Sequence, residues 1–295
     1  MALAGNQPPP GWYPDPAGPP GARWWDGRIW TPSVRYAPPV PYAPPVPYAP
    51  PVPYARPAPV GPSAPEPRPL SARAAWLGLL GVVVGFILGG ILQLVGAMLF
   101  PGSTAADILL SELGVWSGLG GTCVVVSRRY GTGSLVKDFG WRVRPVDLGY
   151  GPLAFLACVF TAGSIGAAFH GTRFAGSNTN IITSQRGNTV GVAVVTVIAA
   201  VGAPVFEELF FRGFLRLSLA SRLGVGAVWT QAVFFGFAHY QFGLGLGNVS
   251  VVTATAGIGV VLGYTARLTH RLGAGTIAHG MFNLFVTLTI IGVIR

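Results

Sequence analysis

Residues 76–100 read WLGLLGVVVGFILGGILQLVGAMLF, without a single charge. A helix of that length rises about 1.5 Å per residue and exceeds the ~30 Å hydrocarbon core of a bilayer. Working outward, residues 149–169 are also uncharged, and 223–266 hold no Asp, Glu, Lys or Arg, enough for two crossings. Over the whole chain 51% of residues are hydrophobic and 9% charged, against roughly 25% charged in soluble domains. A soluble globular protein is excluded. The expected fold is an all-α polytopic membrane protein with about seven, and at most eight, transmembrane helices. The spans are placed at 76–100, 108–127, 149–169, 190–213, within 228–246, 249–266 and 273–294.

The net charge is +10, but no Lys/Arg run or helical stripe exists to track phosphates, so nucleic acid is not an expected partner. The basic residues gather beside apolar spans instead: Arg128 and Arg129, Arg212, Arg216 and Arg222, Arg267 and Arg271. This is the bias of cytoplasmic loops. Arg128, Arg129, Lys137, Arg142 and Arg144 place the second loop inside, which puts the N-terminus in the cytoplasm of a multi-pass protein of the cell membrane. Arg173 and Arg186 in the third loop run against the bias. Cys123 and Cys158 lie within apolar spans and read as small buried residues. No secretory signal is expected, since Pro8-Pro9-Pro10 interrupts the start.

Twenty-three of the 27 prolines precede residue 70, which divides the chain into a small Trp-rich unit (8–33), a Pro-rich linker (34–69) and a transmembrane body (70–295). The unit carries GWYPDP from Gly11 and RWWDGRIWT from Arg23. Asp26-Gly27 between aromatic residues predicts a tight hairpin. The linker repeats Ala-Pro-Pro-Val-Pro-Tyr three times over 37–54, and polyproline II at ~3.1 Å per residue makes this a spacer of about 55 Å. The GWYPDP…RWWDG…WT pattern resembles a short domain of unknown function found at the N-terminus of many bacterial membrane proteins. That resemblance supplies no activity; it points to a structural or adaptor role and a cytoplasmic partner.

The chain has four glutamates, Glu66, Glu112, Glu207 and Glu208. The last two are adjacent in an apolar span, where each acid costs about 2.5–3.5 kcal/mol on insertion scales. Glu208 and Arg212, four apart, can pair across one helical turn. Glu207, rotated about 100° away, then points elsewhere as a carboxylate suited to general-base work. The competing reading makes the pair a marker of the membrane edge. His239 and His279 shift the balance, because His279 and Asn283 share a helix face and both offer N–H donors. Counting ~1.5 Å per residue from the turn at Ser221–Gly224 puts Glu207 and His239 side by side, a turn or two beneath the cytoplasmic surface. His170 and His270, at span ends, read as bystanders.

Glu207-Glu208-x-x-x-Arg212, Phe235-x-x-x-His239 and His279-x-x-x-Asn283, in that order within the core 190–290, resemble the CAAX-protease and bacteriocin-processing family of intramembrane endopeptidases. The resemblance implies hydrolysis of peptide or membrane-protein substrates in the bilayer. It implies that Glu207 and His239 activate water, that His279 and Asn283 form an oxyanion site, and that Glu208, Arg212 and Phe235 support them. No cofactor is expected, although Glu207, His239 and His279 offer the donor types of a zinc site and a zinc-dependent version stays open. A non-proteolytic immunity or scaffold protein is the alternative function. A proton-coupled transporter is disfavoured by the absence of an inverted repeat.

Overall fold

The computed structural model describes residues 8–18, 21–36 and 72–293; the three hexapeptide repeats lie outside the described residues. The chain divides into two units, Met1–Gly61 and Pro62–Arg295. In the first, β1 (Gly11–Pro14), β2 (Gly21–Trp25) and β3 (Trp30–Tyr36) form an antiparallel sheet in the order β1-β2-β3. The Asp26-Gly27 turn joins β2 to β3 as the sequence suggested. Asp26 Oδ1 accepts from the amides of Arg28 and Ile29, both at 2.7 Å, and Gly27 takes φ +98°, a value that favours glycine. β1 adds a third strand in front of the expected hairpin, with Trp12 opposite Trp24.

The second unit is helical. It contains α1 (Ala72–Leu99), α2 (Thr104–Tyr130), α3 (Leu135–Phe139), α4 (Asp147–Phe169), α5 (Asn180–Thr183), α6 (Thr189–Leu223), α7 (Gly226–Ala238), α8 (Asn248–Thr269) and α9 (Gly273–Ile290). Six of these, α1, α2, α4, α6, α8 and α9, are long and apolar enough to cross a membrane. α1 and α2 pack through glycine: a Cβ at Gly118 would overlap the backbone of Gly81 and Gly85, and one at Gly114 would overlap that of Gly89. Close backbone approach of this kind is how helices associate where lipid removes the hydrophobic drive.

The span expected within 228–246 is not a full helix. α7 has 13 residues, about 20 Å. α8 nevertheless starts at the opposite end of the bundle. The Gly176 amide, in the α4–α6 connection, donates to Ser250 Oγ at 2.8 Å, whereas beyond the other end of α8 Arg271 reaches Asp147 at the start of α4 at 2.6 Å. Residues 239–247 therefore cover the remaining length of the bundle in irregular form. The helix ends at Ala238, Gly245 takes φ +55°, and Asn248 supplies the lost backbone partners. Its Oδ1 accepts from the Gln241 amide at 2.8 Å, and its Nδ2 donates to the carbonyls of Gln241 and Gly245. Non-helical backbone survives in a membrane only when satisfied by protein or cavity in this way.

The bundle ends are chemically unlike. The Arg271–Asp147 pair and the Leu272 amide, which donates to the Gly140 carbonyl at 3.0 Å, close one end. That end gathers Arg128, Arg129, Arg222 and Arg267 in the last turns of their helices, and Lys137, Arg142 and Arg144 between α2 and α4. At the other end lie Arg173 and Arg186, the latter donating to the Ile290 carbonyl.

Candidate active site

α6 is one continuous helix interrupted by two π-helical stretches, Ile198–Gly202 and Glu208–Leu215. Pro204 lies between them without an N–H to give. The Ala203 amide reaches back five residues to Ile198, so the next carbonyl in that register, Ala199, faces a proline. Asn283 Nδ2 on α9 donates to it at 2.8 Å. One N–H of Asn283 is thus structural, and its second is uncommitted.

The second π stretch begins at Glu208. Glu208 and Arg212 side chains have no solvent exposure and meet at 3.0 Å, Nη1 to Oε1. The Arg212 guanidinium lies 4.0 Å over the Phe235 ring, which supplies a cation–π face where water is absent. His279 Nδ1 contacts the same Glu208 oxygen at 3.0 Å. Gly275 makes room for this carboxylate, since a Cβ there would come within 3.0 Å of Glu208 Oε2. With Arg212 beside it Glu208 accepts only, so His279 Nδ1 carries a proton.

Glu207 turns away from this pair. Its side chain is 19% exposed, and Oε2 lies 3.8 Å from His279 Nε2. His279 therefore stands between the two glutamates. His239 caps the broken end of α7, and its Nδ1–H donates to the Phe235 carbonyl at 2.8 Å. A carbonyl can only accept, so that bond fixes the tautomer and leaves Nε2 as the basic nitrogen. Phe235 is the shared platform, with ring centroids 4.7 Å from His239 and 5.8 Å from His279.

Glu207, His239, His279 and Asn283 all line one cavity of about 720 Å³. Glu208 and Arg212 lie behind its wall, outside the lining. Glu207 and His239, to which the resemblance gives the activation of water, face the same cavity, and the imidazole in contact with Glu207 is that of His279. The cavity runs from the cluster to residues 175–182, at the end opposite the Arg-rich connections. Sequence reasoning gave Glu112 no part in the site. It sits two turns inside α2 and lines the same cavity. An acid within an otherwise apolar helix was the available signal.

No three His, Cys, Asp or Glu side chains among the described residues converge closely enough to hold a metal ion. His279 Nδ1 is held by Glu208 and His239 Nδ1 by a carbonyl, which leaves Nε2 as the remaining nitrogen of each ring.

Residues 10–45 match the family model described as protein of unknown function (DUF2510). No curated protein and no solved structure matches the chain. Residues 189–285 match the model described as type II CAAX prenyl endopeptidase Rce1-like. That stretch supplies Glu207, Glu208, Arg212, Phe235, His239, His279 and Asn283, and the chain carries an Rce1-like domain there.

Proposed function

We propose that this protein is an intramembrane endopeptidase that hydrolyses peptide bonds of peptide or membrane-protein substrates with water activated at Glu207 and His239. The observation that carries this reading is the division of labour between adjacent glutamates. Glu208 is sealed against Arg212 and His279, while Glu207 faces a cavity that His239, His279 and Asn283 also line.

A water in the cavity gives its proton to the Glu207 carboxylate as its oxygen bonds to the scissile carbonyl carbon. His239 Nε2, held by its Nδ1–H bond to Phe235, accepts a hydrogen bond from that water and orients it. The carbonyl oxygen becomes an oxyanion beside His279 and the free N–H of Asn283; preorganised donors there are the main source of acceleration. Glu208 holds the His279 ring through Nδ1–H, and His279 donates to the oxyanion from Nε2 as the imidazolium, with a proton on each nitrogen. Collapse breaks the C–N bond, Glu207 returns the proton to the leaving amine, and the products are a carboxylate and an amine. Comparing peptide termini in membranes that contain wild type or Glu207→Gln tests the proposal: new termini should arise in membrane segments only with wild type. Identical sets of termini would leave a scaffold or immunity role as the better reading.

The chemistry is metal-free on this reading. Dialysis of the purified protein against a strong chelator should leave cleavage intact, with no stoichiometric metal found. Activity that dies with chelation and returns with zinc would overturn the metal-free step while sparing the residue assignments.

The Arg-rich end is assigned to the cytoplasm of the cell membrane by the positive-inside bias. α7 with residues 239–247 makes a seventh crossing, which puts the two chain ends on opposite sides. Reporters fused at each terminus should therefore read cytoplasmic at the first residue and external at residue 295; both on one side would contradict the crossing count.

A further inference from the structure

The N-terminal sheet has two unlike faces, as alternation along strands requires. On one, Trp12 meets Trp24 with ring centroids at 5.5 Å, and the Arg35 guanidinium lies 4.4 Å over Trp12. The other carries Tyr13, Trp25 and Trp30, with Trp25–Trp30 at 5.1 Å and Tyr13–Trp30 at 6.2 Å. Across this second face lies Pro8-Pro9-Pro10. Trp25 Nε1–H donates to the Pro8 carbonyl at 3.0 Å, and the Tyr13 hydroxyl donates to the Pro9 carbonyl at 2.9 Å. Pro10 sits against Gly27, where a Cβ would come within 3.3 Å of its ring. All three prolines are exposed, so the tripeptide lies on the sheet and not in a core.

A run of prolines has no N–H to offer. It presents carbonyls and flat apolar ring edges on an already extended backbone. Aromatic rings edged by an indole N–H and a phenol O–H match that chemistry, and docking a preformed helix costs little ordering entropy. The same chain holds a second supply of it. Ala-Pro-Pro-Val-Pro-Tyr is repeated over 37–54, starting directly after Tyr36, the last residue of β3.

We propose that the Tyr13–Trp25–Trp30 face is a binding site for polyproline segments, and that its ligand is the chain's own Ala-Pro-Pro-Val-Pro-Tyr repeats, bound in cis in exchange with Pro8–Pro10. The reach suffices. Trp30 lies about 20 Å back along β3 from Tyr36; with a turn at Tyr42, about 19 Å out, the return of about 39 Å takes about twelve residues of polyproline II, so the third repeat, which ends at Tyr54, comes to Trp30. Tyr42, not followed by proline, is free to make the reversal. A tether this short holds the repeats at an effective concentration on the order of mM.

The test uses the full chain in detergent, intact or lacking residues 37–54, titrated with a labelled dodecapeptide of two repeats and with a control whose prolines are replaced by alanine. The deleted chain should bind the proline peptide at least about tenfold more tightly than the intact chain, because the tethered competitor is gone, and should ignore the control. In the deleted chain Trp25→Phe and Tyr13→Phe should each weaken binding several-fold. Tyr13→Phe keeps every ring and removes only a donor, so it reports on the face even where Trp25→Phe unfolds the unit. Three results would overturn the proposal. The first is no proline-dependent binding to the deleted chain at millimolar peptide. The second is equal affinity of intact and deleted chains, which assigns any ligand to another molecule. The third is affinity unmoved by both substitutions.

Discussion

Glu207→Gln is expected to lower turnover by at least the ~10²–10⁴ that a positioned general base supplies. Glutamine keeps the shape of the side chain and its place 3.8 Å from His279 Nε2, but it cannot take the proton of water. The cavity keeps its volume and lining, so KM for a substrate found by the terminal comparison should change little while kcat collapses. Asn283→Ala provides the contrast. It removes an oxyanion donor, worth ~10²–10³ in kcat, and also the N–H that satisfies Ala199. Its loss of activity should therefore come with a lower unfolding midpoint, whereas Glu207→Gln should leave that midpoint near wild type. Equal kcat for wild type and Glu207→Gln would remove Glu207 from the chemistry.

The largest effect on stability is expected from Arg212→Met. Glu208 is fully buried, and Arg212 pairs with it at 3.0 Å on the oxygen that His279 also contacts. Removing one member of a buried pair leaves an uncompensated charge and costs about 3–5 kcal/mol. Methionine fills much of the volume above Phe235, so the loss reports charge more than packing. The double variant Glu208→Gln/Arg212→Met should recover most of the deficit, since replacing a whole buried pair by neutral groups is often close to neutral. Unfolding followed by circular dichroism in detergent checks both; a loss under about 1 kcal/mol for Arg212→Met would show that the pair is solvated or otherwise compensated.

The spans were legible because each is a long apolar run with few charges, and the Glu208–Arg212 pair because a spacing of four brings side chains together on a helix. The broken seventh crossing was not. Tyr240–Gly247 is as uncharged as the helix before it, so hydropathy cannot separate the two; the Asn248 side chain satisfies the backbone beyond the helix end. The candidate residues could be named from three short motifs, but the contacts that hold them could not. Pro204 and the π stretches change the rotation of everything after them on α6, and a count at 3.6 residues per turn does not carry that change. The Ala199 carbonyl, opened by Pro204 and filled by Asn283, is a contact between helices 84 residues apart in sequence, and no local pattern records it.

The most direct measurement is isotopic. Purified protein in liposomes is incubated with a cleaved membrane substrate in ¹⁸O-labelled water, and the new C-terminal carboxyl is weighed by mass spectrometry. The account predicts one ¹⁸O atom per broken bond with wild type and no labelled product above background with Glu207→Gln. Labelled product formed equally by both proteins, or cleavage by wild type without label, would contradict hydrolysis by water activated at Glu207.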